Sequence, residues 1–163
     1  MKKIIFIRHS RAEDQAPEIT DFERSLTIKG KVISREMAVK LREKEADPGV
    51  FITSPAFRAL ETAFIFAAEF RIKHDNILTD SSLYHKSDIK HLLETLKRTG
   101  NDIDTITIFG HNPAITEIPD RLSESGCEFM TKTSIVCLSF QVNSWSEIRP
   151  DSGKLEYFLK PEK

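Results

Sequence analysis

The chain has 163 residues, with 24 Lys+Arg against 25 Asp+Glu and a formal net charge of -1. That balance excludes the polybasic footprint that nucleic acid or an anionic membrane surface calls for. A content of 39% hydrophobic and 30% charged residues excludes a disordered chain, which is poorer in apolar residues and more one-sided in charge. One domain over 1–163 is expected, able to bury roughly two thirds of its unfolded surface and leaving little chain for a lid.

The only cysteines are Cys127 and Cys137, too few for a disulfide framework, which points to a reducing compartment. Met1-Lys2-Lys3 precedes a short apolar run, Ile4 to Ile7, that ends at Arg8. Such a run is too short for a signal core or a membrane span, so a cytoplasmic protein is expected.

Ile4 to Ile7 reads as a buried strand feeding a polar loop at Arg8-His9-Ser10. The stretch from Arg11 to Arg24 is polar, carries Pro17 and has no clean period, which marks a loop. Thr27 is placed to cap a helix whose apolar face is Gly30, Ile33, Ser34, Met37, Ala38 and Leu41, with Asp47-Pro48-Gly49 as its terminator. Val50 to Thr53 is a second short strand. Ser54-Pro55 behind it has the form of a helix start, Ser as cap and Pro in the first position. That helix is predicted to run to Phe70 on a stripe of Ala56, Leu60, Ala63, Phe64 and Ala67, with Arg58 off the stripe.

Ile77 to Thr79 reads as a short strand and Asp80 to His85 as irregular. Lys86 to Arg98 is a helix by the spacing of Ile89, Leu92, Leu93 and Leu96, closed by Gly100-Asn101. Thr105 to Phe109 is another β-branched strand, and Asn112-Pro113 after it again suggests cap and first helical position, with Pro119 ending or kinking the helix early. Ser134 to Val142 alternates as a strand, and Gly153 to Leu159 pairs near it. Strands alternating with helices predict an α/β fold with a mostly parallel sheet flanked by helices, the last strands antiparallel.

Ligands in open α/β sheets bind beyond the carboxyl ends of strands. That rule selects Arg8-His9-Ser10, Ser54 to Arg58, and Gly110-His111-Asn112. Two guanidinium groups, two imidazoles and two helix starts would meet there, and each favours a small dianion: the guanidinium fork matches phosphate oxygens, and helix starts offer free amides. A neutral imidazole adds a nucleophile able to form a phosphoenzyme. Taken singly, Arg58 could instead be a solvated partner of Glu61, and His111 a turn residue; the conjunction favours a phosphoryl site.

These elements resemble the histidine phosphatase superfamily, with its phosphoglycerate-mutase-like three-layer fold, and within it the small SixA-type branch. The resemblance rests on Arg8-His9-Ser10, where Ser10 stands in place of the usual Gly, and on Leu26-Thr27-Ile28-Lys29-Gly30. It continues in Ser54-Pro55-Ala56-Phe57-Arg58-Ala59-Leu60-Glu61-Thr62, Gly110-His111-Asn112-Pro113 and Thr133-Ser134-Ile135. It implies that His9 is the phosphorylated nucleophile, that Arg8 and Arg58 hold phosphate, and that His111 completes the pocket.

Candidates for a general acid are Glu13, Asp14 and the segment Tyr84-His85, with His85 as its titratable imidazole. Arginine charge does at such a site what magnesium does elsewhere, so no metal and no cofactor are expected. The expected partner is a phosphorylated protein or a small phosphoester, with no nucleic acid and no membrane. Without a well-placed acid, worth about 10²–10⁴-fold, a donor with a readily departing group such as protein phosphohistidine is favoured. The alternatives are a small-molecule phosphomonoesterase and a non-catalytic phosphate- or phosphopeptide-binding module. Cys137, His91, His74 and the phenylalanines Phe57, Phe64, Phe66 and Phe70 read as structural or solvated.

Overall fold

In the computed structural model, which describes residues 1–85 and 88–162, one six-stranded sheet organises the chain. The elements in order are β1 (Lys2–Arg8), α1 (Ile28–Lys44), β2 (Val50–Thr53), α2 (Phe57–Phe70), β3 (Leu78–Thr79) and α3 (Ser82–His85). They are followed by α4 (Ile89–Lys97), β4 (Thr105–Gly110), α5 (Ala114–Leu122), β5 (Ile135–Phe140) and β6 (Lys154–Leu159). The first two residues of the helix predicted from Lys86 lie outside the described residues.

The spatial order is β3-β2-β4-β1-β5-β6. β4 pairs in parallel with β1 on one side and β2 on the other, and β2 in parallel with β3, whereas β5 runs antiparallel to β1 and β6 antiparallel to β5. The mostly parallel α/β sheet with antiparallel final strands is therefore as expected. Its faces carry separate cores. Ile4, Phe6, Ile106 and Ile108 pack under Leu92 and Leu96 of α4 and Ile115 and Ile118 of α5. Ile5, Ile7 and Phe109 pack under Met37, Ala38 and Leu41 of α1 and Ala63, Phe66 and Ala67 of α2. Helices on both faces make three layers, and a strand covered on both faces is buried at every position and mostly apolar. Hence β5 is buried throughout, and its alternation separates two cores rather than core from solvent.

Several local expectations are corrected. α1 ends at Lys44, ahead of Asp47-Pro48-Gly49, because Glu45 turns inward to accept from Lys3 at 3.1 Å and from Tyr157 at 3.0 Å. The buried face of α2 is Arg58, Ala59, Thr62, Ala63, Phe66 and Ala67, one step round from the predicted stripe, so Leu60 and Phe64 are only half-buried. Phe57 is 40% exposed and is not core, while Phe64 stacks on His74 at 4.2 Å. Part of the segment taken as irregular, Asp80 to His85, is helical (α3), started by Asp80 accepting from the Ser82 amide and hydroxyl at 3.0 and 2.7 Å. Pro119 neither ends nor shortens α5: Ile115, Ile118, Pro119 and Leu122 form its buried face, and that burial outweighs the one backbone bond proline forgoes. Cys137 is fully buried, and burial pushes its thiol up to about 12, as expected of a packing residue.

Candidate active site

Parallel pairing of β1, β4 and β2 aligns their carboxyl ends, and backbone bonds carry the alignment past the strands. The His9 amide donates to the Gly110 carbonyl at 3.1 Å and the Ser54 amide to that of Phe109 at 3.0 Å. The three predicted strand ends thus meet. Arg8, His9, Asp14, Arg58 and His111 line one cavity of about 280 Å³, with Arg24 and Lys132 also on its wall.

His9 is 7% exposed. Its Nδ1 lies 2.7 Å from the Ser10 carbonyl. A carbonyl can only accept, so Nδ1 carries the proton and Nε2 keeps its lone pair. Burial, opposed by that carbonyl and reinforced by His111, Arg58 and Arg8, lowers the His9 pKa to about 3. Dehydration outranks the neighbouring arginines as the cause. The His111 ring stands 5.0 Å from that of His9, and burial followed by the Arg58 charge lowers its pKa to about 4. Its Nε2 lies 2.8 Å from Ser54 Oγ.

That contact explains why α2 does not start at Ser54-Pro55. The Ser54 hydroxyl is engaged by His111 and accepts from the Ala56 amide at 3.3 Å, and the helix opens at Phe57 behind Ala56. Asn112 likewise does not cap α5. Its Nδ2 donates to the Met130 carbonyl at 2.9 Å and its Oδ1 accepts from Thr116 at 2.6 Å, and the helix opens after Pro113.

Arg58 is 6% exposed, not a solvated helix residue. Its partner is Asp21 rather than Glu61: Nη1 donates to the Asp21 carbonyl at 2.8 Å and Nη2 to the carboxylate at 3.1 Å. Glu61 instead accepts from the Leu26 amide at 3.0 Å. Arg8 donates from Nη1 to the Met130 carbonyl at 3.1 Å. Among the described residues, the buried side-chain polar atoms with no hydrogen-bond partner are Arg8 Nε, Arg58 Nε and His111 Nδ1. All three belong to the wall of this cavity. The two arginine nitrogens are donors, and a buried donor without an acceptor costs about 1–3 kcal/mol, so their concentration in one place makes this cavity a candidate anion site.

Ser10 is fully buried without a left-handed backbone. Its hydroxyl donates to the Gly30 carbonyl at 2.8 Å and accepts from Thr133 at 2.9 Å, and its amide donates to Thr62 at 3.0 Å. Thr133, at φ 64°, donates its amide to the carbonyls of Arg8 and His9. Gly30 is required by close approach, since a Cβ there would lie 2.3 Å from the Arg11 carbonyl oxygen.

Of the acid candidates, Asp14 lines the cavity. Glu13 is exposed with its amide on Ser25, and exposed His85 has its ring against Tyr84 at 4.8 Å. Asp21 escaped the sequence reading, and of the segment Tyr84-His85 it is Tyr84 that faces the site. Tyr84 donates to Asp21 at 2.9 Å and its ring stands 5.6 Å from that of His111.

The backbone as a whole superimposes on the protein histidine phosphatase SixA complexed with tungstate, with a TM-score of 0.82 over 98% of this chain and 97% of that one, at 19% identity. The chain has the SixA fold. A protein provisionally named phosphohistidine phosphatase SixA from Agrobacterium tumefaciens agrees, at a TM-score of 0.80 over 99% of each chain and 20% identity. An uncharacterized protein of Picosynechococcus is 29% identical over 116 residues, 71% of this chain and 69% of that protein. No protein-family sequence model matches the chain.

Proposed function

We propose that the protein is a phosphatase that takes a phosphoryl group onto His9 and releases it to water. The observation that carries this reading is the set of unpartnered buried groups, Arg8 Nε, Arg58 Nε and His111 Nδ1, on the wall of the cavity that also holds His9. Nε2 of neutral His9 attacks phosphorus, forming an N–P bond as the bond to the leaving group breaks with its electron pair. Arg8, Arg58 and His111 bind the equatorial oxygens, where phosphoryl charge spreads in the transition state. Water then attacks phospho-His9, giving inorganic phosphate and neutral His9. Tungstate, the oxyanion named with the SixA neighbour, is consistent with such a pocket.

The proposed substrate is phosphohistidine on a protein. Its imidazole leaving group departs readily, and apolar surface near the cavity suits a protein partner: Phe129, 61% exposed, lies 5.9 Å from the Arg8 guanidinium, and Phe57 is next to Arg58. The whole chain acting as one domain in the cytoplasm completes the reading, supported by a single sheet and by free thiols at Cys127 and Cys137. A small phosphomonoester is the second reading, favoured by Asp14 on the cavity wall, whose carboxyl group in its protonated form would give its proton to the departing alkoxide and be left as carboxylate.

Mass spectrometry after an acid-free quench tests the intermediate: wild type carries a phosphate adduct on His9, and an equal adduct on His9→Ala refutes the proposal. Turnover of a phosphohistidine protein against sugar phosphates tests the substrate, with faster turnover of a sugar phosphate deciding for the second reading. Tight phosphopeptide binding with no phosphate release would leave a binding module.

A further inference from the structure

We propose that Asp21 is a positioning residue of this site, gripping the terminal donors of Arg58 so that the Nε–H edge of the guanidinium is presented to the phosphoryl group. The proposal rests on the reading of Arg58 as a phosphate ligand.

A guanidinium has two usable edges with carboxylate or phosphate: the end, formed by Nη1–H and Nη2–H, and the side, formed by Nε–H and the other Nη2–H. Asp21 takes the end edge with two different oxygens, its carbonyl at 2.8 Å from Nη1 and its carboxylate at 3.1 Å from Nη2. The side edge is left, and Nε is a buried donor without a partner. A plane held at two points has one orientation. Without the Asp21 carboxylate only the bond from Nη1 to the residue-21 backbone carbonyl holds the end edge, the plane can turn about that point, and fixing it on the anion costs entropy.

Asp21 is itself held from every direction. It opens the short 3-10 turn Asp21–Glu23, which is closed by a capping box between Thr20 and Glu23. Oδ1 accepts from Arg24 Nε at 3.0 Å, and Arg24 also donates to the Glu13 carbonyl at 3.0 Å. Oδ2 is shared between Arg58 and the Tyr84 hydroxyl. Phe22, the next residue, lies against both Phe57 at 5.9 Å and Tyr84 at 5.3 Å. Burial opposes ionisation of Asp21, but hydrogen bonds from Tyr84 and Arg58 outweigh it and hold the pKa at about 2, so the grip is present at any working pH.

The sign of the effect separates this role from simple electrostatics. A carboxylate beside an anion site repels the anion, so if Asp21 acted only as a charge, removing it would tighten phosphate binding. If it positions Arg58, removal weakens binding, and only while Arg58 is present.

The test is calorimetric binding of inorganic phosphate at pH 7.5 and fixed ionic strength to wild type, Asp21→Ala, Arg58→Ala and the double variant, each checked for folding by circular dichroism. The expected result is that Asp21→Ala weakens phosphate about 10-fold in wild type, equivalent to about 1.4 kcal/mol, and less than about twofold in the Arg58→Ala background. Asp21→Asn keeps the side-chain size and one acceptor, which guards against a turn that fails to fold, and is expected to give a smaller loss with the same dependence on Arg58. Tighter binding or unchanged affinity in Asp21→Ala, or equal losses in both backgrounds, overturns the proposal. If Arg58→Ala binds phosphate as well as wild type, this proposal and the role given to Arg58 fall together. If the coupling holds while no phospho-His9 is trapped, the phosphatase reading falls and the positioning role stands.

Discussion

His9, the proposed nucleophile, is expected to stay neutral far into the acid range, and pH is the perturbation that shows it. The fold lowers the pKa of His9 from 6.5 to about 3, which makes its protonation about 5 kcal/mol harder than in the unfolded chain. Between those values the unfolded chain binds more protons, so stability falls with pH from about 6.5 downward and the whole penalty is present only below about 3. At pH 5 the linkage relation makes the His9 share about 2 kcal/mol relative to pH 7.5. The assay is urea denaturation of wild type and His9→Gln at both pH values. The wild type is expected to lose about 2 kcal/mol more than the variant, which carries no titrating group at that position. In parallel, ¹⁵N chemical shifts of the His9 ring are expected to report an unchanged Nδ1–H neutral tautomer from pH 8 to below 4.5. Equal acid sensitivity of the two proteins, or a His9 titration centred near 6.5, would refute burial as the source of the free lone pair.

Ser10→Gly restores the residue usual in the resembled family but removes a hydroxyl bonded to both Gly30 and Thr133 in a fully buried place. It is expected to lower stability by about 1–3 kcal/mol, and an unchanged urea midpoint would show that Ser10 contributes nothing there. Asp14→Asn is expected to slow an alkyl phosphomonoester by about 10²-fold while barely changing phosphohistidine turnover, because only the alkoxide needs a proton. Equal slowing of both substrates in steady-state assays would mean that Asp14 acts on binding rather than on the leaving group.

Local signals carried the fold a long way, and their failures have physical causes. The strands were readable because two-sided burial favours apolar and β-branched runs, as in Ile4 to Ile7 and Thr105 to Phe109. Thr27 caps α1 as expected because its hydroxyl accepts from the Gly30 amide at 2.9 Å while donating only a long bond to the Arg11 carbonyl at 3.4 Å. Ser54 and Asn112 look equally good as caps, yet tertiary partners claim them: His111 takes the Ser54 hydroxyl, and Met130 and Thr116 take the Asn112 amide. The α2 stripe was misplaced by one step because a buried arginine counts as polar in any periodicity. Asp21 sits in a segment without period, 37 residues from Arg58, and no spacing rule joins the two. The polar residues just ahead of Leu26-Thr27 were the only available hint.

The near-neutral charge from which no polyanionic partner is expected is a sum, and a sum does not say where charges lie. The sequence by itself determined the alternation of elements, the apolar runs, and which residue types stand at the ends of β1, β2 and β4, because those follow from local chemistry and the period of burial. Tertiary structure alone decided that Arg8 and Arg58 face one cavity, that Nδ1 of His9 holds the proton, and that Asp21 claims one edge of Arg58. Those depend on distances between residues far apart in the chain, and such distances exist only once the parallel sheet has brought its strand ends together.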